Sequence, residues 1–245
     1  MSGHSKWANI KIKKSKTDAQ RGRIFTKIGR EIAIAVKMGG ADPNSNPRLR
    51  DAIAKAKQNN MPNDNIQRSI KKASGELDSV NYEDITYEGY APGGIAVIVE
   101  ALTDNKNRTA GEIRHIFDKF GGSLGQTGCV SYMFKKKGVI IADKQGFTED
   151  DMLMLALDAG AEDLTEDEDV FEIFTQPSDM GGVAEKLAAS GVNVLSQDID
   201  MIPDVEVDPA DHIDSVRKLI NRLEENDDVQ NVYHNAILPE EEEEE

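Results

Sequence analysis

Apolar side chains in the first third of the chain recur at helical spacing. Ile24, Phe25, Ile28, Ile32, Ala35 and Val36 keep a 3.6-residue period from about Asp18, and Gly39-Gly40 supplies a stop, so the pattern predicts one amphipathic helix. Pro47 is placed to open a second helix that buries Leu49, Ala52, Ile53 and Ala56. Pro62 breaks that helix and admits a third, with Ile66, Ile70 and Ala73 inward and Gly75 at its end. Helices this short, joined by short connections, predict a small three-helix bundle. Ahead of it, Met1 to Lys16 has no apolar period, and its run Lys11, Lys13, Lys14, Lys16 repels itself, so this stretch reads as a mobile arm.

After Glu76 the period shortens to two. Ile85-Thr86-Tyr87 and Ile95 to Leu102, joined through Pro92-Gly93-Gly94, predict a hairpin; a helix from about Asn107 to Phe120 and strands near Val130 to Phe134 and Val139 to Ala142 follow. Thr148 to Ala159 reads as a helix, Glu162 to Leu164 as a short strand, Val170 to Thr175 as a strand, Ser178 to Ser190 as a helix and Asn193 to Ile202 as a strand. With Val139 to Ala142 in front, that order is β-α-β-β-α-β, the ferredoxin-like split unit. A last helix from Pro209 to Leu223 and a strand from Val229 to His234 complete the interrupted first unit. The expected fold class is therefore α+β: a three-helix domain and then two α+β domains of ferredoxin-like character, the second inserted in the first. The expected boundaries are 1–76 for the arm and helices, 77–136 with 204–238 for the discontinuous domain, 137–203 for the insert and 239–245 for a disordered acidic tail.

Charge changes what this architecture is expected to do. The whole chain carries a net −16, which argues against a polyanionic partner only if it is evenly spread. Residues 1–75 hold 11 Lys and 6 Arg against five acids, a balance of +12 that leaves −28 for the remainder. Such segregation gives one end of the molecule a field that attracts phosphates. Arg21, Arg23, Lys27 and Arg30 lie on the polar side of the first helix, Arg48 and Arg50 on the second, and Lys6, Lys11, Lys13 and Lys14 in the arm, so these are the candidate phosphate contacts. Trp7, the only tryptophan, sits in the arm beside His4. An indole among lysines is suited to stack on an unpaired base, while its bland alternative is an anchor folded back on the bundle. A helix-turn-helix formed by the second and third helices is open, with no side-chain pattern that singles out base readers.

Other chemistry finds little support. Gly121 to Gly128 has neither nucleotide-binding spacing and leads into a strand, so it reads as a flexible turn. His4, His115, His212 and His234 stand singly, Cys129 lacks a base partner, and Glu166 to Asp169 read as a solubilising surface. No enzymatic activity, metal, cofactor or small-molecule substrate is expected. One cysteine excludes an internal disulfide, and no stretch approaches the ~18 apolar residues of a membrane span, so a cytoplasmic, membrane-free protein is expected. The run Glu240 to Glu245 is expected to compete with phosphates for the basic module.

The runs Gly3-His4-Ser5-Lys6-Trp7-Ala8-Asn9-Ile10-Lys11, Asn46-Pro47-Arg48-Leu49-Arg50, Asn60-Met61-Pro62, Tyr87 to Gly94, Asp104 to Thr109 and Asp228 to Asn235 closely resemble the YebC family over nearly the whole chain. Ile12 departs from the pattern, which usually has histidine there. The resemblance implies a three-domain cytoplasmic protein that regulates transcription by binding DNA. It also implies an alternative, a translation factor that contacts ribosomal RNA and relieves stalling at proline-rich stretches. Nothing in the chain chooses an oligomeric state; a monomer is compatible.

Overall fold

The computed structural model describes residues 18–75, 82–167 and 169–239. In chain order the elements are α1 (Asp18–Gly39), α2 (Pro47–Gln58), α3 (Asn63–Ser74), β1 (Glu83–Ala91), β2 (Ile95–Thr103), α4 (Lys106–Lys119), β3 (Ser123–Leu124), β4 (Phe134–Asp143), α5 (Glu149–Ala159), β5 (Asp163–Glu166), β6 (Val170–Thr175), α6 (Met180–Ala189), β7 (Val194–Pro203), α7 (Ile213–Glu224) and β8 (Val229–His234). The fold is α+β, and contacts group the described residues into two compact units, those within 16–131 and 209–234 and those within 132–208 and from 235 on.

The first unit holds the three helices and a four-stranded antiparallel sheet in the order β3-β1-β2-β8. Ile28, Ile32, Ala35, Leu49, Ala52, Ala56, Ile66, Ile70 and Ala73 form the bundle core, in keeping with the helical period. One buried side chain fixes the first turn of this bundle. Asn46 accepts the N–H of Leu49 at 3.1 Å as the N-cap of α2, and its amide donates to the carbonyls of Ala35 at 2.6 Å and Gly40 at 2.8 Å. A Cβ on Gly39 would stand 2.7 Å from that side chain, and Gly40 leaves α1 at φ +85°. The Gly-Gly stop is therefore both a helix exit and a seat for the next cap.

Two segments differ from the sequence expectation, and neighbouring residues of β1, Glu88 and Gly89, account for them. Val130 to Phe134 is not a strand: Ser131–Met133 is a 3-10 turn, and a single strand runs from Phe134 to Asp143. Glu88 on β1, buried, accepts the N–H groups of Gly128 at 2.8 Å, Val130 at 2.9 Å and Ser131 at 2.8 Å, which removes those donors from any ladder. Burial pushes the Glu88 carboxyl up, but the bonds from Val130, Gly128 and Ser131 outweigh it and hold the group below its ordinary range. The glycine-rich stretch before it is a pinned edge rather than a loose turn. Ser123 and Leu124 pair with β1, and a Cβ on Gly89 would meet the Ser123 carbonyl at 2.5 Å.

The second unit carries an antiparallel sheet in the order β5-β6-β4-β7. Strands appearing in the chain as β4, β5, β6, β7 and lying in that spatial order, with α5 after the first and α6 after the third, give the ferredoxin-like arrangement. Ile140, Ala142, Phe171 and Ile173 point to the face on which Met152, Ala156, Val183 and Leu187 of the two helices pack. Thr148 caps α5 by accepting the N–H of Asp151, and Gly160 ends it at φ +106°.

Candidate nucleic-acid interface

Helix α1 buries two sides. One builds the bundle core. The other carries Arg23, Lys27, Arg30 and Ile34, spaced so that they share a face. Ile34 is 4% exposed yet is not part of the bundle cluster. Lys27 Nζ donates to the Glu224 carbonyl at 2.7 Å, Arg30 Nη1 donates to the Asp227 carbonyl at 2.6 Å and to Asp228 Oδ1 at 2.7 Å, and Arg23 lies 3.7 Å from Glu225. The C-terminus of α7 offers unpaired carbonyls and the negative end of a helix dipole, so cations from α1 satisfy it. Arg30 also lies over the Tyr82 ring at 5.7 Å.

Asp228 is the centre of this junction and is 4% exposed. Its Oδ2 accepts Arg108 Nη2 at 2.7 Å, Thr109 Oγ1 at 2.7 Å and Thr103 Oγ1 at 3.2 Å, while Oδ1 takes Arg30. Burial raises the Asp228 carboxyl, and the bonds from Arg108 and Thr109 with the charges of Arg108 and Arg30 reverse that and hold it below the usual carboxylate range. The Arg108 guanidinium, bonded to Asp228 and Asp104, is pushed up in turn. This is a charge network built on one buried carboxylate, and it fastens α1 to the end of the first sheet.

The cations of α2 divide by flank. Arg48 holds Asp84 through both carboxylate oxygens at 3.0 and 2.9 Å, and Lys55 reaches Glu31 at 2.6 Å. On the other flank, seven residues apart, Arg50 and Lys57 are exposed, as are Arg68, Lys71 and Lys72 on the side of α3 away from Ile66, Ile70 and Ala73. The side chains of these five make no ion pair among the described residues. The only acids within α2 and α3 are Asp51 and Asp64. Such a surface is self-repelling until a polyanion neutralises it.

The structure thus sorts the predicted contacts. Arg23, Lys27, Arg30 and Arg48 lie against acids and carbonyls of the same unit, Arg21 is exposed in the first turns of α1, and Arg50 faces solvent. His4, Lys6, Trp7, Lys11, Lys13 and Lys14 lie outside the described residues. Lys57, Arg68, Lys71 and Lys72 were not among the sequence-based candidates, although the i, i+7 and i, i+3, i+4 spacings signal shared faces. Among the described residues no group of three or more His, Cys, Asp or Glu is placed to hold a metal ion, and no helix is long and apolar enough to cross a membrane.

Two family models together match most of the chain. Residues 5–76 match the TACO1/YebC protein N-terminal domain, and residues 82–236 match the TACO1/YebC second and third domain. The chain belongs to the YebC family. A probable transcriptional regulatory protein of Acetivibrio thermocellus is 62% identical over 238 residues, covering 96% of this YebC-family chain and 98% of its relative. One of the same name from Caldicellulosiruptor saccharolyticus is 59% identical over 237 residues, covering 96% and 98%. The crystal structure of a conserved hypothetical protein from Aquifex aeolicus is 47% identical, with a TM-score of 0.81 over 94% of this chain and 96% of that one.

Proposed function

We propose that this chain regulates transcription by binding duplex DNA, with the exposed cations of α2 and α3 as its phosphate contacts. The observation that carries the reading is the set Arg50, Lys57, Arg68, Lys71 and Lys72, exposed and without ion pairs among the described residues, in a region of charge +12. The names of the relatives, probable transcriptional regulatory proteins, agree with it. Arm residues Lys6, Lys11, Lys13 and Lys14 add phosphate contacts, and Trp7 with His4 supplies a surface for bases. Arg23, Lys27, Arg30 and Arg48 serve mainly to dock the bundle. The action is binding rather than catalysis.

Cross-linking in cells, followed by sequencing of the bound nucleic acid, tests this reading. Recovery of promoter DNA is the expected result. Recovery of ribosomal RNA alone would replace transcriptional control with the translation role that the family resemblance also implies.

A further inference from the structure

Helix α5 of the second unit is more apolar than its place requires. Met152 to Leu157 is an unbroken apolar run, whereas a helix with one side in water uses about three or four such residues in two turns. Met152, Ala156 and Ala159 pack into the core with α6, and the surplus emerges on the opposite side. There Asp150, Met154, Leu157 and Asp158, at i, i+4, i+7 and i+8, share one face, with Met154 67% and Leu157 51% exposed. By contrast, α7 buries Val216, Leu219, Ile220 and Leu223 and exposes only polar residues. Beside α5, α6 turns Gly181, Gly182, Ala188 and Ala189 to solvent, side chains no larger than a methyl, with Glu185 among them. The charges around this ridge have one sign. Lys186 is the only Lys or Arg between residues 145 and 200, against fifteen acids, and its Nζ is held by the Ala159 carbonyl at 2.9 Å. Asp151 accepts the Thr148 hydroxyl, but the carboxylates of Asp150, Asp158 and Glu185 make no hydrogen bond or ion pair among the described residues.

We propose that this face of α5 docks a basic amphipathic helix of a partner protein. Asp150 and Asp158 stand about 12 Å apart along the helix, with Met154 and Leu157 between them. A partner helix with Lys or Arg two turns apart meets the two carboxylates, and the apolar side chains between those cations cover Met154 and Leu157. The small residues of α6 leave room for its backbone to come close, and the flexible thioether of Met154 adapts to the apolar side chain it meets. The sign of the border selects the partner. A second copy of the chain sets acids against acids, and nucleic acid or an anionic membrane is repelled, whereas a basic helix is attracted at every point of the rim. The inference is independent of the cations on α2 and α3 and of what they bind.

An anisotropy titration of the full-length chain tests this with a fluorescent helical peptide of leucine and lysine whose leucines lie on one face, and with an isomer of the same composition whose leucines are scattered around the helix. The one-faced peptide is expected to bind at least about tenfold more tightly than its isomer. Met154→Gln/Leu157→Gln, at exposed positions and with helix propensity kept, should abolish that preference at unchanged thermal stability. Asp150→Asn/Asp158→Asn should weaken binding about threefold and flatten its salt dependence. A benzophenone on the leucine face of the peptide should cross-link to α5 at Met154. Equal binding of the two peptides, indifference to Met154→Gln/Leu157→Gln, or cross-links confined to Glu240–Glu245 would show attraction by charge alone and overturn the proposal. Sedimentation in which the unaltered chain pairs with itself, and Met154→Gln/Leu157→Gln does not, would also overturn it, because the occupant is then a second copy.

Discussion

Helix α1 and the pair α2–α3 are comparably rich in cations, yet their charges meet different fates. On α1, Arg23, Lys27 and Arg30 meet the C-terminal carbonyls of α7, Glu225 and Asp228. On α2 and α3, Arg50, Lys57, Arg68, Lys71 and Lys72 meet no acid among the described residues. A basic helix face is therefore not by itself a binding face. What separates the two is the presence of a fixed anion within the fold, because a cation already held by a buried carboxylate gains little from a phosphate that must first displace it.

The hardest blow to the docked side is Asp228→Ala. It removes the acceptor of Arg30, Arg108, Thr103 and Thr109, and urea denaturation should show a loss of about 3 kcal/mol, toward the lower end for a broken buried pair because Arg108 is 43% exposed. Acid tests the same contact in the unaltered chain. The folded carboxyl of Asp228 is depressed below its unfolded value, so its contribution is complete above about pH 4 to 5 and declines as the pH falls through the folded pKa. Glu88→Gln should cost about 2 kcal/mol by weakening three charge-assisted bonds from Gly128, Val130 and Ser131, with the same sign of pH dependence. It should leave nucleic-acid affinity per folded molecule unchanged. Arg48→Ala breaks an exposed pair with Asp84, and a shift below about 1 kcal/mol is expected in the same denaturation assay. Smallest of all, deletion of Glu240 to Glu245 should raise affinity for DNA slightly at low salt and not at high salt, as a binding titration at two ionic strengths would show.

Much of the fold is legible in local pattern. Pro47 and the Gly39-Gly40 stop mark helix ends, and the strands Val170–Thr175 and Val229–His234 are bounded as the alternation of side chains predicts. The failures share a cause, which is partners distant along the chain. Ser131 leaves the strand pattern because Glu88, more than forty positions earlier, claims its N–H, and Ser123–Leu124 pairs only because Gly89 lets the backbone approach. In the candidate site, the outward direction of Arg30 and Arg68 was equally readable. That Arg30 meets Asp228, 198 positions away, while Arg68 meets nothing among the described residues, leaves no trace in local periodicity.

The salt dependence of duplex DNA binding, compared between Arg68→Ala/Lys71→Ala/Lys72→Ala and Arg23→Ala/Lys27→Ala, tests this division most directly. Each lost phosphate contact flattens the slope of log affinity against log salt by about 0.9. The α3 variant is expected to lose up to about 2.7 units of slope at unchanged stability, and the α1 variant to lose stability while keeping its slope. The reverse result, an intact slope in the α3 variant and a flattened one in the α1 variant, would contradict the account.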